Sequence, residues 1–205
     1  VAADAVARGV SINDDINKLP NIIFKFFFMF FLPNSILIFN GIVHDLSSSN
    51  RLAYANLIDW RFKMETKLNQ LLADFVVEYH KLQTFHWYVK GKDFFTVHAK
   101  LEEYYDHVNE NIDEVAEHIL MLNMKPLASL QEFLKVSSIT EAHGEFVCSQ
   151  DILKEVLKDF EYLLNEVKEL KKYADDQEQY VISALMDNYI SHYTKAVWML
   201  KQQSV

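Results

Sequence analysis

From Met64 onward, apolar residues recur every three or four positions and almost nothing interrupts them. Leu68, Leu71, Leu72, Phe75, Val76, Tyr79 and Leu82 mark a first amphipathic helix ending near Gly91. Val97, Leu101, Tyr104, Val108, Ile112, Val115, Ile119 and Leu122 mark a second. Ile152, Val156, Leu157, Phe160, Leu163, Leu164, Val167 and Leu170 form a third, and Val181, Leu185, Tyr189, His192, Ala196 and Met199 a fourth. The 205 residues include only 4 Gly and 3 Pro, too little punctuation for a many-turned β sandwich or barrel. Lys125–Gln150 is a long connection with Pro126 near its start and a short helical piece, Leu130–Leu134, inside it. Two helical hairpins joined by such a crossover predict an all-α four-helix bundle. No longer repeat is visible, which excludes a solenoid.

The charge changes at the same boundary. Residues 64–205 hold 14 Lys/Arg and 24 Asp/Glu, a net of −10, whereas residues 1–63 hold 6 and 5, a net of +1. The acidic part has no general attraction for nucleic acid. A lone Cys148 excludes an intramolecular disulfide and a multi-cysteine zinc site. Residues 1–63 read as an atypical extension to a 64–205 domain. Within them Ile22–Val43 is almost wholly apolar, and its length of about 22 residues would span a bilayer. Pro33, Asn34 and Ser35 interrupt it, Lys25 sits near its start, and no clear small-residue cleavage site follows. Three readings stand: a membrane anchor, a degenerate signal, or a translated stretch foreign to the natural protein, since A/T-rich non-coding DNA yields Phe, Ile, Asn and Lys. A chain begun at Met64 is expected to be soluble and fully folded.

The second helix carries a polar row beside its apolar stripe. His98 and Glu102 are i,i+4 neighbours, as are Asp113 and Glu117. Eleven positions separate Glu102 from Asp113, which returns to within about 20° of the same face. Imidazole and carboxylate without thiolate suit iron, manganese or zinc. Glu102 and Asp113 nevertheless lie about 16 Å apart along the axis, too far to share a metal. An antiparallel second copy, related by a two-fold axis near His107 and Val108, would set His98 and Glu102 of one chain opposite Asp113 and Glu117 of the other. No Glu-x-x-His, the motif that builds a site inside one bundle, is present. His86 extends the inward face of the first helix, and Trp87 follows it.

The run His86-Trp87-Tyr88-Val89-Lys90-Gly91, then Phe94-Phe95-Thr96-Val97-His98, then Asp113-Glu114-Val115-Ala116-Glu117 resembles the signature of the Dps family, the mini-ferritins. Leu130-Gln131-Glu132-Phe133-Leu134 and Val197-Trp198-Met199-Leu200 continue the likeness, which covers Met64 to the C-terminus. The resemblance implies a ferritin-like bundle in a cytoplasmic homo-oligomer, a hollow dodecamer built from two-fold dimers. It further implies Fe(II) oxidation at the dimer interfaces, preferably by hydrogen peroxide, with Fe(III) mineral stored inside as protection against oxidative stress. Carried over residue by residue, the ligands are His86, His98 and Glu102 of one subunit with Asp113 and Glu117 of the other, and Trp87 is an electron donor beside them.

Four departures accompany the likeness. Glu102 stands where Asp is usual, and His118 where Arg is common. The Asp175, Asp176 and Glu178 cluster has few carboxylates after it for an iron-entry pore, against the plainer expectation of charges at a helix N-terminus. Finally, only Lys67 follows Met64 closely, so the Lys-rich tail with which some relatives bind DNA is missing. A non-enzymatic nucleoid protein is the alternative, and the net charge argues against it. Glu103, Asp106 and Glu110 read as a solvated face or as acids that nucleate mineral. His80, His107, His143 and His192 are expected to be satisfied core or solvated histidines, and Tyr189 and Trp198 packing residues.

Overall fold

The computed structural model describes residues 48–203. By its contacts, the compact unit that holds the bundle begins at Asp59. Helix α1 runs Ser48–Tyr88, α2 Phe94–Met121, the short α3 Leu130–Val136, α4 Ser149–Asp176 and α5 Tyr180–Gln202. The expected all-α, ferritin-like four-helix bundle with a short helix in the crossover is what forms. Two elements differ from expectation. Helix α1 continues upstream of Met64, where Trp60 packs on the core and Arg61 donates to the carbonyls of Leu122 and Asn123 at 3.2 and 3.1 Å. Two-residue strands, β1 Val89–Lys90 and β2 Val147–Cys148, pair in parallel and pin the end of the crossover to the end of α1. The Ile22–Val43 stretch lies outside the described residues, among which no helix is long and apolar enough to cross a membrane.

The core is built from the predicted stripes. Leu68, Leu71, Leu72, Phe75 and Leu82 of α1 meet Leu101, Val108, Val115 and Ile119 of α2, all buried. Aromatic rings fill the centre, with Phe75 edge-on to Tyr189 at 5.5 Å and Phe160 edge-on to Tyr104 at 4.9 Å. Each such ring contributes roughly 1.5–3 kcal/mol by leaving water. Offset aromatic geometry adds direction to that gain.

Polar residues of α1 hold the crossover. Asn69 donates to the Lys125 carbonyl at 3.0 Å and accepts from the Leu127 amide at 2.7 Å. Asp74 accepts from Ser137 Oγ at 2.7 Å and from the Ser138 and Ile139 amides at 2.6 and 3.3 Å. Between these anchors α3 starts with a reciprocal capping box, Ser129 with Glu132, which satisfies two otherwise orphaned groups. The α1–α2 turn depends on Gly91, whose φ of 144° excludes most side chains and whose added Cβ would meet Asp93 Oδ1 at 2.9 Å.

Candidate metal centre

The α1–α2 turn brings His86, in the last turn of α1, against His98, in the first turns of α2. Their rings stack at 3.6 Å between centroids and 22° between planes. His86 Nδ1 donates to the His98 carbonyl at 2.9 Å, and His98 Nδ1 donates to the His86 carbonyl at 2.8 Å. Carbonyl oxygens only accept, so both imidazoles carry their proton on Nδ1 and both keep an Nε2 lone pair for a metal. His86 is buried, at 8% exposure, so its ring has little freedom to leave this pose.

Aromatic neighbours complete the support. Phe94 stacks on His98 at 4.9 Å, and Tyr105 meets His86 edge-on at 5.4 Å. Tyr79 in turn lies edge-on to Tyr105 at 5.9 Å. Desolvation and the nearby Glu102 carboxylate push the Tyr105 phenol up, keeping it neutral beside that acid. Tyr105 was not singled out from the sequence, and Phe94 only as part of the family-like run before His98. Tyr105 lies one turn beyond Glu102 and seven positions beyond His98, so the helical face that marked the acids would have found it.

Glu102, one turn after His98, is exposed, and so are Asp113 and Glu117 farther along α2. Asp113 and Glu117 border an open depression with Asn109, Glu110, Ile112 and Glu114. Within the chain, the structure joins His86 to His98 and leaves Asp113 and Glu117 apart from them. Among the described residues, no three His, Cys, Asp or Glu side chains converge on a metal-sized site. Trp87 is 52% exposed, with its ring edge-on to His80 at 6.2 Å.

Other polar residues depart from expectation. His107 and His192 stack on each other at 3.6 Å, and the buried His107 Nε2 has no partner, so this core histidine is not satisfied within one chain. Burial lowers both imidazoles, His192 to about 4 with His107 adding to the effect. Tyr189 packs as expected, its hydroxyl donating to Glu114 at 3.0 Å, whereas Trp198 is 61% exposed and packs little within one chain. Asp175 and Asp176 end α4 rather than begin α5, and Glu178 takes the turn at φ 54°. Asp175 accepts from Ser183 Oγ, in the first turn of α5, at 2.5 Å.

The Ferritin-like domain family matches residues 65–204. "DNA protection during starvation protein 2" of Bacillus anthracis is 40% identical over 135 residues, covering 65% of this chain and 91% of that protein. The crystal structure of Helicobacter cinaedi CAIP matches with a TM-score of 0.68 and 38% identity, over 69% of this chain and 99% of that one. A Dps protein from Vibrio cholerae O1, described as a member of a broad superfamily of ferritin-like diiron-carboxylate proteins, matches with a TM-score of 0.68 and 34% identity, over 71% and 91%. A bundle with a helical crossover, paired histidines at its first turn and relatives of this kind place the chain in the Dps family of ferritin-like proteins.

Proposed function

We propose that the protein is an iron-sequestering ferroxidase whose active site is shared between two copies of the chain. His86, His98 and Glu102 of one subunit and Asp113 and Glu117 of the partner subunit would bind Fe(II) as substrate. The observation that carries this reading is the reciprocal Nδ1–carbonyl bonding, which presets two imidazole Nε2 donors one turn from a carboxylate. Fixing donors before the substrate arrives removes the entropy of assembling them at the moment of reaction. The remaining acids lie on a surface that only another molecule can bring near, which favours a two-fold dimer.

In the proposed reaction two Fe(II) each lose one electron, and hydrogen peroxide takes both as its O–O bond breaks to give two hydroxides. Full two-electron reduction releases no hydroxyl radical. The Fe(III) then hydrolyses to mineral in the interior of a shell, releasing protons. Large apolar side chains exposed in one chain, Phe95 at 85%, Leu130 at 72%, Tyr180 at 69% and Trp198 at 61%, are the candidates for burial between subunits of such a dodecameric shell. Trp87, next to His86 in sequence, is proposed as an electron donor that protects the site when only one Fe(II) is bound. A cytoplasmic setting goes with this chemistry.

Adding Fe(II) anaerobically, then half-stoichiometric peroxide, and sizing the product with iron detection tests the reading. Fe(III) should elute with a particle far larger than a dimer; iron precipitating outside an assembled shell would overturn the ferroxidase assignment. The nucleoid-protein alternative predicts a salt-dependent gel shift, which the −10 charge of residues 64–205 opposes.

A further inference from the structure

The bundle interior holds four polar side chains whose burial demands partners that they lack. Both carboxyl oxygens of Glu78 on α1, Oε2 of Glu166 on α4, the Asn111 amide nitrogen on α2 and the Tyr193 hydroxyl on α5 are out of water and unpartnered. Glu78 and Tyr193 are wholly buried, and Tyr193 lies close enough to feel Glu78, Glu166 and Asn111 together. An ionised carboxylate in that position would go uncompensated at a cost of several kcal/mol.

The nearest groups suggest what compensates them. Glu78 lies within hydrogen-bonding reach of Asp159, and Glu166 within reach of Asp74. Two carboxylates cannot bond to one another unless one carries a proton. Both aspartates already act as acceptors: Asp159 takes a bond from Lys81 Nζ at 2.5 Å, and Asp74 takes bonds from Gln70, Tyr162, Ser137 and two backbone amides. The glutamates are therefore the donors. We propose that two shared protons, Glu78 to Asp159 and Glu166 to Asp74, close the bundle interior and make its stability respond to alkali.

The surroundings agree with that assignment. Glu78 faces Asp159, Asp74 and Tyr193 against the single cation Lys81. Glu166 faces Asp74, Glu169, Tyr162 and Tyr193 against Lys67. Burial raises Asp159 as well, and the Lys81 ammonium opposes that rise, as does Lys158, while Glu155 adds to it; the ion pair with Lys81 assigns the charge of this pair to Asp159 and the proton to Glu78. Burial, then the neighbouring acids, raise Glu78 well above the carboxylate range and Glu166 to about 9. Groups raised in the fold stabilise it fully below their unfolded value near 4.5, and that stability is lost as pH climbs through the folded value. The decline therefore runs from mildly acidic pH to about 9. A metal cation is the competing guest, but no three ligating side chains converge here. If the ferroxidase reading holds, protons released by Fe(III) hydrolysis move the interior toward its stable form; the proposal itself does not depend on that reading.

Infrared spectra of the full chain at neutral pH test it directly. Buried protonated carboxyl C=O bands should be present, one diminished in Glu78→Gln and another in Glu166→Gln. The amide keeps a donor toward the aspartate, so the double variant should unfold at a temperature nearly constant from pH 7 to 9, above the range in which His192 titrates, while the unmodified protein loses stability steadily across that range. Absence of the carboxyl bands, or bands that both survive in the double variant, would overturn the proposal. The spectra of the single variants decide the matter should the double variant fail to fold.

Discussion

The two ends of α2 carry the same kinds of ligand in very different settings. At the N-terminal end His98 is locked to His86 by two hydrogen bonds and a ring stack, with Phe94 and Tyr105 around it. At the C-terminal end Asp113 and Glu117 stand on an exposed face beside an open depression. One helix thus bears a prepared half-site and a bare one. The contrast teaches that one helix can hold one end fixed by contacts within the chain and leave the other open to a second molecule; under the proposed shared site, activity would depend on oligomerisation.

The largest expected effect comes from emptying the prepared half. Replacing His98 and Glu102 together with Ala should slow peroxide-driven Fe(II) oxidation by at least about 100-fold, because direct ligands matter more than the outer partners whose loss costs 10–100-fold. Circular dichroism should be unchanged, since Glu102 is exposed and His98 lies at the helix edge. Next, Gly91→Ala should lower stability by about 1–2 kcal/mol in a denaturant titration by straining the turn that apposes the two histidines. An unchanged midpoint would show that the turn adapts and that the prepared half is less rigid than described.

Where His192 of α5 stacks on His107 in the middle of α2, an effect of similar size is expected, confined to acid pH. His192, lowered to about 4 by burial and by His107, is neutral in the fold. Its stability contribution is fully present above about pH 6.5 and is lost as pH falls toward 4. With partial solvent access that loss should be about 1–2 kcal/mol, and His192→Gln should remove it. The smallest effect belongs to Glu102→Asp, which retains a carboxylate and shortens its reach. A few-fold change in oxidation rate, within about 1 kcal/mol, is expected in stopped-flow measurements.

The bundle was legible because its stripes are long and uninterrupted, and the proposed ligand set was suggested by two i,i+4 pairs, His98 with Glu102 and Asp113 with Glu117, on one face. What the sequence concealed has physical causes. The continuation of α1 upstream of Met64 was hidden because the charge and composition change there, although Trp60 and Arg61 still engage the bundle. The short β1–β2 pairing joins segments nearly sixty residues apart, and two-residue strands have no period to detect. The acid pairs of the interior left a trace that apolar counting passes over. Glu78 falls between Phe75 and Leu82, and Asp159 between Val156 and Leu163, both at stripe positions where an acid is costly. The pairing of Glu78 with Asp159 is tertiary, so only the fold reveals it.

Subunit complementation tests the shared site most directly. Co-assembling His98→Ala chains with Glu117→Ala chains, each inactive alone, leaves some interfaces with one intact pair of halves. Random mixing should restore about a quarter of the unmodified oxidation rate, because each half is intact in about half of the chains. Mixed particles as inactive as their parents would place His98 and Glu117 in one site within one chain and contradict the two-chain centre.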